Sequence, residues 1–176
     1  SYLVREFSKN VNLVRAYDEK GAELKVGKTS KNAWKITTGK AKKVNVQYEV
    51  YAFELSVRTS FLDLTHGFVS SSGVFCYLDG HKDKSGTVTV FPYKDFKVIT
   101  TPLEKASAQT QEERAETFRF PNFDVLVDSP FEIGNQEVFD FTVDDTKHTV
   151  AMYGSGNYDI DELKVDMARI IKAEND

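Results

Sequence analysis

Two carboxylates set at equal spacing about a proline are the most suggestive chemistry in this chain. The run Asp124-Val125-Leu126-Val127-Asp128-Ser129-Pro130-Phe131-Glu132-Ile133-Gly134 reads as a strand entering a proline-fixed turn, with Gly134 giving the loop the backbone path it needs. Asp128 and Glu132 on such a rim could hold a cationic group. The competing reading is that Asp128 and Ser129 merely bond the turn's own backbone.

The other reactive side chains exclude more than they suggest. His66, His81 and His148 are far apart, and none stands in the H-E-x-x-H spacing that presents two zinc ligands on one helix face. His81, in a Gly-Lys-Asp turn, reads as a surface residue. His66, ahead of Gly67 in a loop, and His148, opening a strand, read as structural. The nucleophile pattern G-x-S-x-G is absent, and Gly154-Ser155-Gly156 has neither its spacing nor a phosphate-loop lysine, so it reads as a turn. Cys76 is the single cysteine, which leaves no internal disulfide and no paired-cysteine zinc site. Within Val-Phe-Cys-Tyr-Leu it is expected to be a small buried hydrophobe.

The elements that must position these groups follow from composition and period. At 176 residues and 19.9 kDa the chain has the length of one domain or two small ones, enough to bury roughly 70% of its unfolded surface. A hydrophobic fraction of 40% with 12% aromatics is too apolar for a disordered chain, and no apolar run approaches the ~20 residues of a membrane-crossing helix. The first residue is Ser1, with no basic-then-apolar leader behind it, so the compartment stays open. Residues 1–50 carry 11 basic against 5 acidic side chains, a local excess that could mark a polyanion-binding face. Its densest patch, Lys40, Lys42 and Lys43, runs straight into an alternating strand and reads as a solvated turn; without an Arg-rich helix or a stacking platform, nucleic acid is not the expected partner.

Period-two alternation dominates. From Lys43 to Phe53, Val44, Val46, Tyr48, Val50 and Ala52 share one face, and Tyr51 with Phe53 makes the far face apolar, as in a central strand. Shorter strands are expected at 33–37, 74–78, 87–91, 96–99, 116–120, 125–128, 139–143 and 147–153, punctuated by turns such as Asp79-Gly80, Ser85-Gly86 and Asp144-Asp145. Such short, punctuated strands favour an antiparallel β-sandwich over a βαβ design. Residues 104–114 read as an exposed loop or surface helix. The C-terminus reads as a helix: Leu163, Met167, Ile170 and Ile171 form one stripe, and Asp159 with Glu162 resembles a capping box. The expected division is a β domain over residues 1–157, its opening strands missing, and a helix over 158–176.

Several motifs in fixed order carry a resemblance. Tyr2-Leu3-Val4-Arg5-Glu6-Phe7 with Asn10-Val11, then Trp34, Tyr48-Glu49-Val50-Tyr51-Ala52, Ser56-Val57-Arg58, and Leu126-Val127-Asp128-Ser129-Pro130 with Glu132 and Gly134 resemble the N-terminal domain of the PDZ-carrying glycyl aminopeptidases, a family of bacterial zinc metallopeptidases. The resemblance runs from Ser1 to about Asp166. It implies a saddle-like β-sandwich that is not itself catalytic, joined through the C-terminal helix to a thermolysin-like domain that holds zinc and to a PDZ domain. None of the family's zinc ligands maps onto this chain, so no cofactor is expected within it and zinc belongs to the parent enzyme. The partners implied are the protein's own catalytic domain and a peptide substrate with a small N-terminal residue such as glycine. In such enzymes the N-terminal domain helps wall the substrate cleft and anchor the free amine, which implies cleft roles for Glu132 first, then Asp128, with Ser129 and Gly134 in the same loop. Tyr2, Phe7 and Trp34 read as packing residues, and Arg5 and Arg58 as structural arginines paired with local carboxylates. Two other classes compete: a free-standing module that binds carbohydrate or protein, and a self-contained hydrolase using Asp128, Glu132 and His148.

Overall fold

Alternating side chains in the first fifty residues build an antiparallel sheet from β1 (Val11–Asp18), β2 (Glu23–Ser30), β3 (Ala33–Thr37) and β4 (Val44–Val50), in the order β3-β2-β1-β4. The computed structural model describes residues 6–54, 56, 58–106 and 114–175. Tyr2 and Arg5 lie outside the described residues. Asp18 closes the first hairpin, its carboxylate accepting from the N–H groups of Lys20 and Ala22, each at 2.8 Å, while Gly21 turns the chain at φ +83°. Ala16 pairs with Leu24 on one side and Val46 on the other, and Val26 pairs with Ile36, so these apolar residues share one face.

The rest of the chain contains β5 (Phe61–Leu62), β6 (Gly67–Val69), α1 (Ser71–Val74), β7 (Gly86–Val90), β8 (Val98–Thr100), β9 (Glu104–Lys105), β10 (Glu116–Phe120), α2 (Phe123–Val127), β11 (Phe131–Gly134), β12 (Glu137–Val143), β13 (Thr146–Met152) and α3 (Ile160–Asn175). Three more antiparallel sheets result, ordered β5-β6-β11-β8, β7-β10-β9 and β12-β13. The last is a two-residue hairpin whose Asp144 and Asp145 both take positive φ, the signature of a turn that matches strand twist. The architecture is mainly β and antiparallel with a C-terminal helix, as the alternation and turn chemistry require.

The core lies between the second and third sheets. Leu103, Phe118, Leu126 and Phe131 form its centre, with Val69, Phe75, Ile99 and Ile133 around them. Phe131 is 1% exposed and meets Phe75 and Phe118 edge-on at 6.1 and 5.8 Å. Because Phe131 and Ile133 point into this core, alternation turns Glu132 and Gly134 to the opposite face of β11. That one consequence of period two positions the candidate site.

Several expectations are corrected. Residues 125–128 are not a strand: Asn122 caps α2 by accepting from the Val125 N–H at 2.9 Å, and Phe123 and Leu126 meet the core at helical spacing. Residues 74–78 are not a strand either, since Val74 ends α1 and the chain then runs irregularly with Phe75 against Phe131 and Tyr77 against Phe123. Cys76, between the half-buried Phe75 and the exposed Tyr77, is exposed rather than buried. The strand expected at 96–99 begins at Val98 instead, with Phe96 buried in the preceding turn. β4 is an edge, not a central strand, among the described residues, and Tyr51 and Phe53 beyond it are each 60% exposed. Of the segment read as an exposed loop or surface helix, Glu104 and Lys105 pair with β10, Ala106 is buried, and residues 107–113 lie outside the described residues.

The helix at the C-terminus forms as its stripe predicts. Asp159 Oδ1 accepts from the N–H groups of Asp161 and Glu162 at 2.9 and 3.1 Å, satisfying two of the helix's free donors. Leu163, Met167 and Ile171 are half-buried, α3 lies against β12, and Ile170 remains 59% exposed.

Candidate functional site

Glu132 sits in the middle of a sheet, opposite Phe68 of β6 and Thr100 of β8, so its backbone is held on both sides. Facing it is His66, placed by a turn built on Asp63. One oxygen of that carboxylate accepts from the Thr65 hydroxyl at 2.6 Å and from the N–H groups of Thr65 and His66 at 2.7 and 3.1 Å. These bonds, the Thr65 hydroxyl first, hold Asp63 below the ordinary carboxylate range. Tyr153, just past β13, donates its phenol to the Thr65 hydroxyl oxygen at 2.6 Å and lays its ring on the His66 imidazole, with centroids 3.6 Å apart. On its other side the imidazole approaches Phe61 at 5.3 Å, and Phe61 stacks on Phe53 at 5.2 Å. Four rings thus stand in the order Phe53, Phe61, His66, Tyr153, with His66 the one that approaches the carboxylates.

The imidazole lies between two carboxylates. Its Nε2 is 3.8 Å from Glu132 Oε1, and its Nδ1 is 3.9 Å from Asp63 Oδ1. Burial holds the His66 imidazole below its ordinary value, opposed by the nearby Asp63 charge, and burial pushes the Glu132 carboxyl up to about 7. Gly134 makes the close approach possible, because a Cβ there would stand 3.0 Å from His66 Cβ and 3.3 Å from Gln136 Oε1.

Gln136 completes the cluster. Its amide nitrogen faces the Glu132 carbonyl at 2.9 Å, the Thr100 hydroxyl at 3.0 Å and the Val98 carbonyl at 3.3 Å, which fixes the orientation of the amide and aims its oxygen the other way. Glu132 Oε1 and Gln136 Oε1 are both buried, and neither meets a donor among the described residues. Two acceptors left open in this way cost stability, and a bound ammonium would satisfy them. A groove of about 650 Å³ is lined by Asn135, Glu137, Met152, Tyr153 and Tyr158; Tyr153 belongs both to it and to the His66 stack, while Glu132 and Gln136 are not among its lining residues. Among the described residues no three His, Cys, Asp or Glu side chains converge as metal ligands would, and the two carboxylates near His66 face opposite ring nitrogens.

The other residues singled out from sequence are dispersed. Asp128 is exposed at the C-cap of α2, separated from Glu132 by the Ser129-Pro130 turn. Ser129 is buried; its hydroxyl donates to the Val125 carbonyl at 2.7 Å and its own carbonyl accepts from the Ser71 hydroxyl. Phe7 packs over Gly73, and Trp34 is half-buried with Lys28 Nζ 5.2 Å from its ring. Arg58 is exposed and forms no ion pair with a described residue; its carbonyl accepts from the Ser70 hydroxyl. His148 stacks on Phe141 within the hairpin, and His81 is an exposed turn residue, as expected of both. Sequence reasoning passed over Gln136 and Tyr153 and read His66 as structural only. The continued alternation Glu132, Gly134, Gln136 was the signal available for Gln136.

This architecture is similar to the crystal structure of an aminopeptidase N family protein from Idiomarina loihiensis, with 31% identity and a TM-score of 0.87 over 97% of this chain. The fold is thus that of a β-rich domain carried by an aminopeptidase-type protein. The chain spans 29% of that protein's length. The model of the Peptidase M61 N-terminal domain matches residues 1–135, and the chain belongs to that family, whose peptidases are metallopeptidases. None of the curated proteins matches it. The matched span holds His66 and Glu132, while Gln136 and Tyr153 fall beyond it.

Proposed function

We propose that this domain walls the substrate cleft of a zinc aminopeptidase that removes small N-terminal residues such as glycine, and that Glu132 receives the substrate's α-ammonium. The observation that carries this reading is the pair of buried oxygens, Glu132 Oε1 and Gln136 Oε1, to which no described residue donates. An exopeptidase must fix a free amine at a set reach from the scissile bond, and a carboxylate on a rigid central strand does so with little reorganisation. The metal and the catalytic residues come from polypeptide outside this chain, and α3, with Ile170 still exposed, leads toward it. Asp128 contributes only rim charge. The glycine preference follows from the family resemblance.

The test is to assay this chain and the full-length gene product side by side on glycine p-nitroanilide, with and without a chelator. The full-length product should cleave it and lose that activity to the chelator, and the 176-residue chain should be inert. Cleavage by the chain alone would overturn the proposal.

A further inference from the structure

Resting on the reading of Glu132 as an amine acceptor, we propose that His66 is a positioning residue that competes with an incoming ammonium for Glu132: charged, the imidazole closes the acceptor, and neutral, it leaves the acceptor open.

At 3.8 Å, Nε2 and Glu132 Oε1 are too far apart for a hydrogen bond and close enough that a small ring rotation would make one. A protonated ring gains most from that rotation, since an N⁺–H to carboxylate bond is about twice as strong as a neutral one. The groups facing the ring are Glu132 from β11, Asp63 and the Thr65 hydroxyl from its own turn, and the rings of Tyr153 and Phe61. Asp63 Oδ1 already takes three donors, so Glu132 Oε1 is the carboxylate oxygen with room. Among the described residues neither carboxylate has a Lys or Arg as an ion-pair partner, and the imidazole is the one cation the fold brings to them. The Tyr153 face at 3.6 Å favours the charged ring. Burial opposes charging either group, so the two titrate as a pair, and the charged imidazole closes the acceptor in the range where Glu132 is ionised.

The experiment uses methylammonium as the probe, since it keeps its charge across the range, with binding followed by ¹³C shifts of the Glu132 carboxyl. His66→Gln should bind it at least threefold more tightly than the wild type at pH 7, where Glu132 is partly ionised, and within twofold at pH 9. The ring of His66 is titrated in parallel by ¹⁵N NMR in the wild type and in Glu132→Gln, where its inflection should move, as a purely structural histidine's would not. Absence of methylammonium binding at both pH values ends the Glu132 reading and this inference with it. Binding with His66→Gln matching the wild type at pH 7, or a His66 titration indifferent to Glu132→Gln, ends the inference alone.

Discussion

Gly134 and His66 pack so closely that a methyl group on the glycine would stand 3.0 Å from His66 Cβ and 3.5 Å from its Cα. The glycine is there for space, with no positive φ behind it. Gly134→Ala must therefore push the His66 turn off β11, and a cost of ~1–3 kcal/mol is expected from the overpacking. Urea unfolding measures the loss, and the His66 ring shift shows whether the stack on Tyr153 opens. Unchanged stability with an unchanged shift would contradict the contact.

Phe131 is the neighbour of Glu132 that faces the other way, fully buried between Phe75 and Phe118. Phe131→Ala leaves a cavity in the centre of the core and is expected to cost ~3–5 kcal/mol in chemical denaturation. Val125→Ala, at a position 39% exposed, should stay within about 0.5 kcal/mol.

The Pro130 turn is held from a distance by Ser71, which is 1% exposed and donates its hydroxyl to the Ser129 carbonyl. Ser71→Ala leaves that carbonyl without its donor inside the protein, and a loss of ~1–3 kcal/mol is expected on the same assay.

Burial raises Glu132 from its ordinary 4.5 to about 7, so the folded chain holds a proton that the unfolded chain has released. Relative to Glu132→Gln, the wild-type stability is highest below about pH 4.5 and falls as pH rises toward 7, by as much as ~3 kcal/mol. His66 acts in the opposite sense, because its lowered pKa makes its contribution complete above 6.5 and lost on acidification. Thermal melts of the wild type, Glu132→Gln and His66→Gln across pH 5 to 8 should show the steepest decline with rising pH in His66→Gln. A Glu132→Gln melt that parallels the wild type throughout would contradict the raised carboxyl.

What could be read from the sequence was what depends on local period. Alternation found β3, β4, β7, β10, β12 and β13, the Asp144-Asp145 turn joined the last two, and the spacing of Leu163, Met167 and Ile171 with Asp159 found α3. β1 was missed because a bulge between Asn12 and Arg15, with Leu13 at φ 50°, breaks its alternation. α2 was misread because Val125, Leu126 and Val127 favour a strand by type, and only the Asn122 cap and the core contact of Leu126 decide for helix. At the site, Glu132 was legible from its place beside Pro130. Its partners were not, since His66 and Tyr153 lie 66 and 21 residues away along the chain and meet it only through β6, β13 and the Asp63 turn.

The most direct measurement is steady-state kinetics of Glu132→Gln in the full-length gene product on glycine p-nitroanilide. The account predicts a KM raised at least tenfold with kcat changed less than threefold, because the carboxylate holds the amine and takes no part in bond breaking. A KM equal to that of the wild type would contradict it.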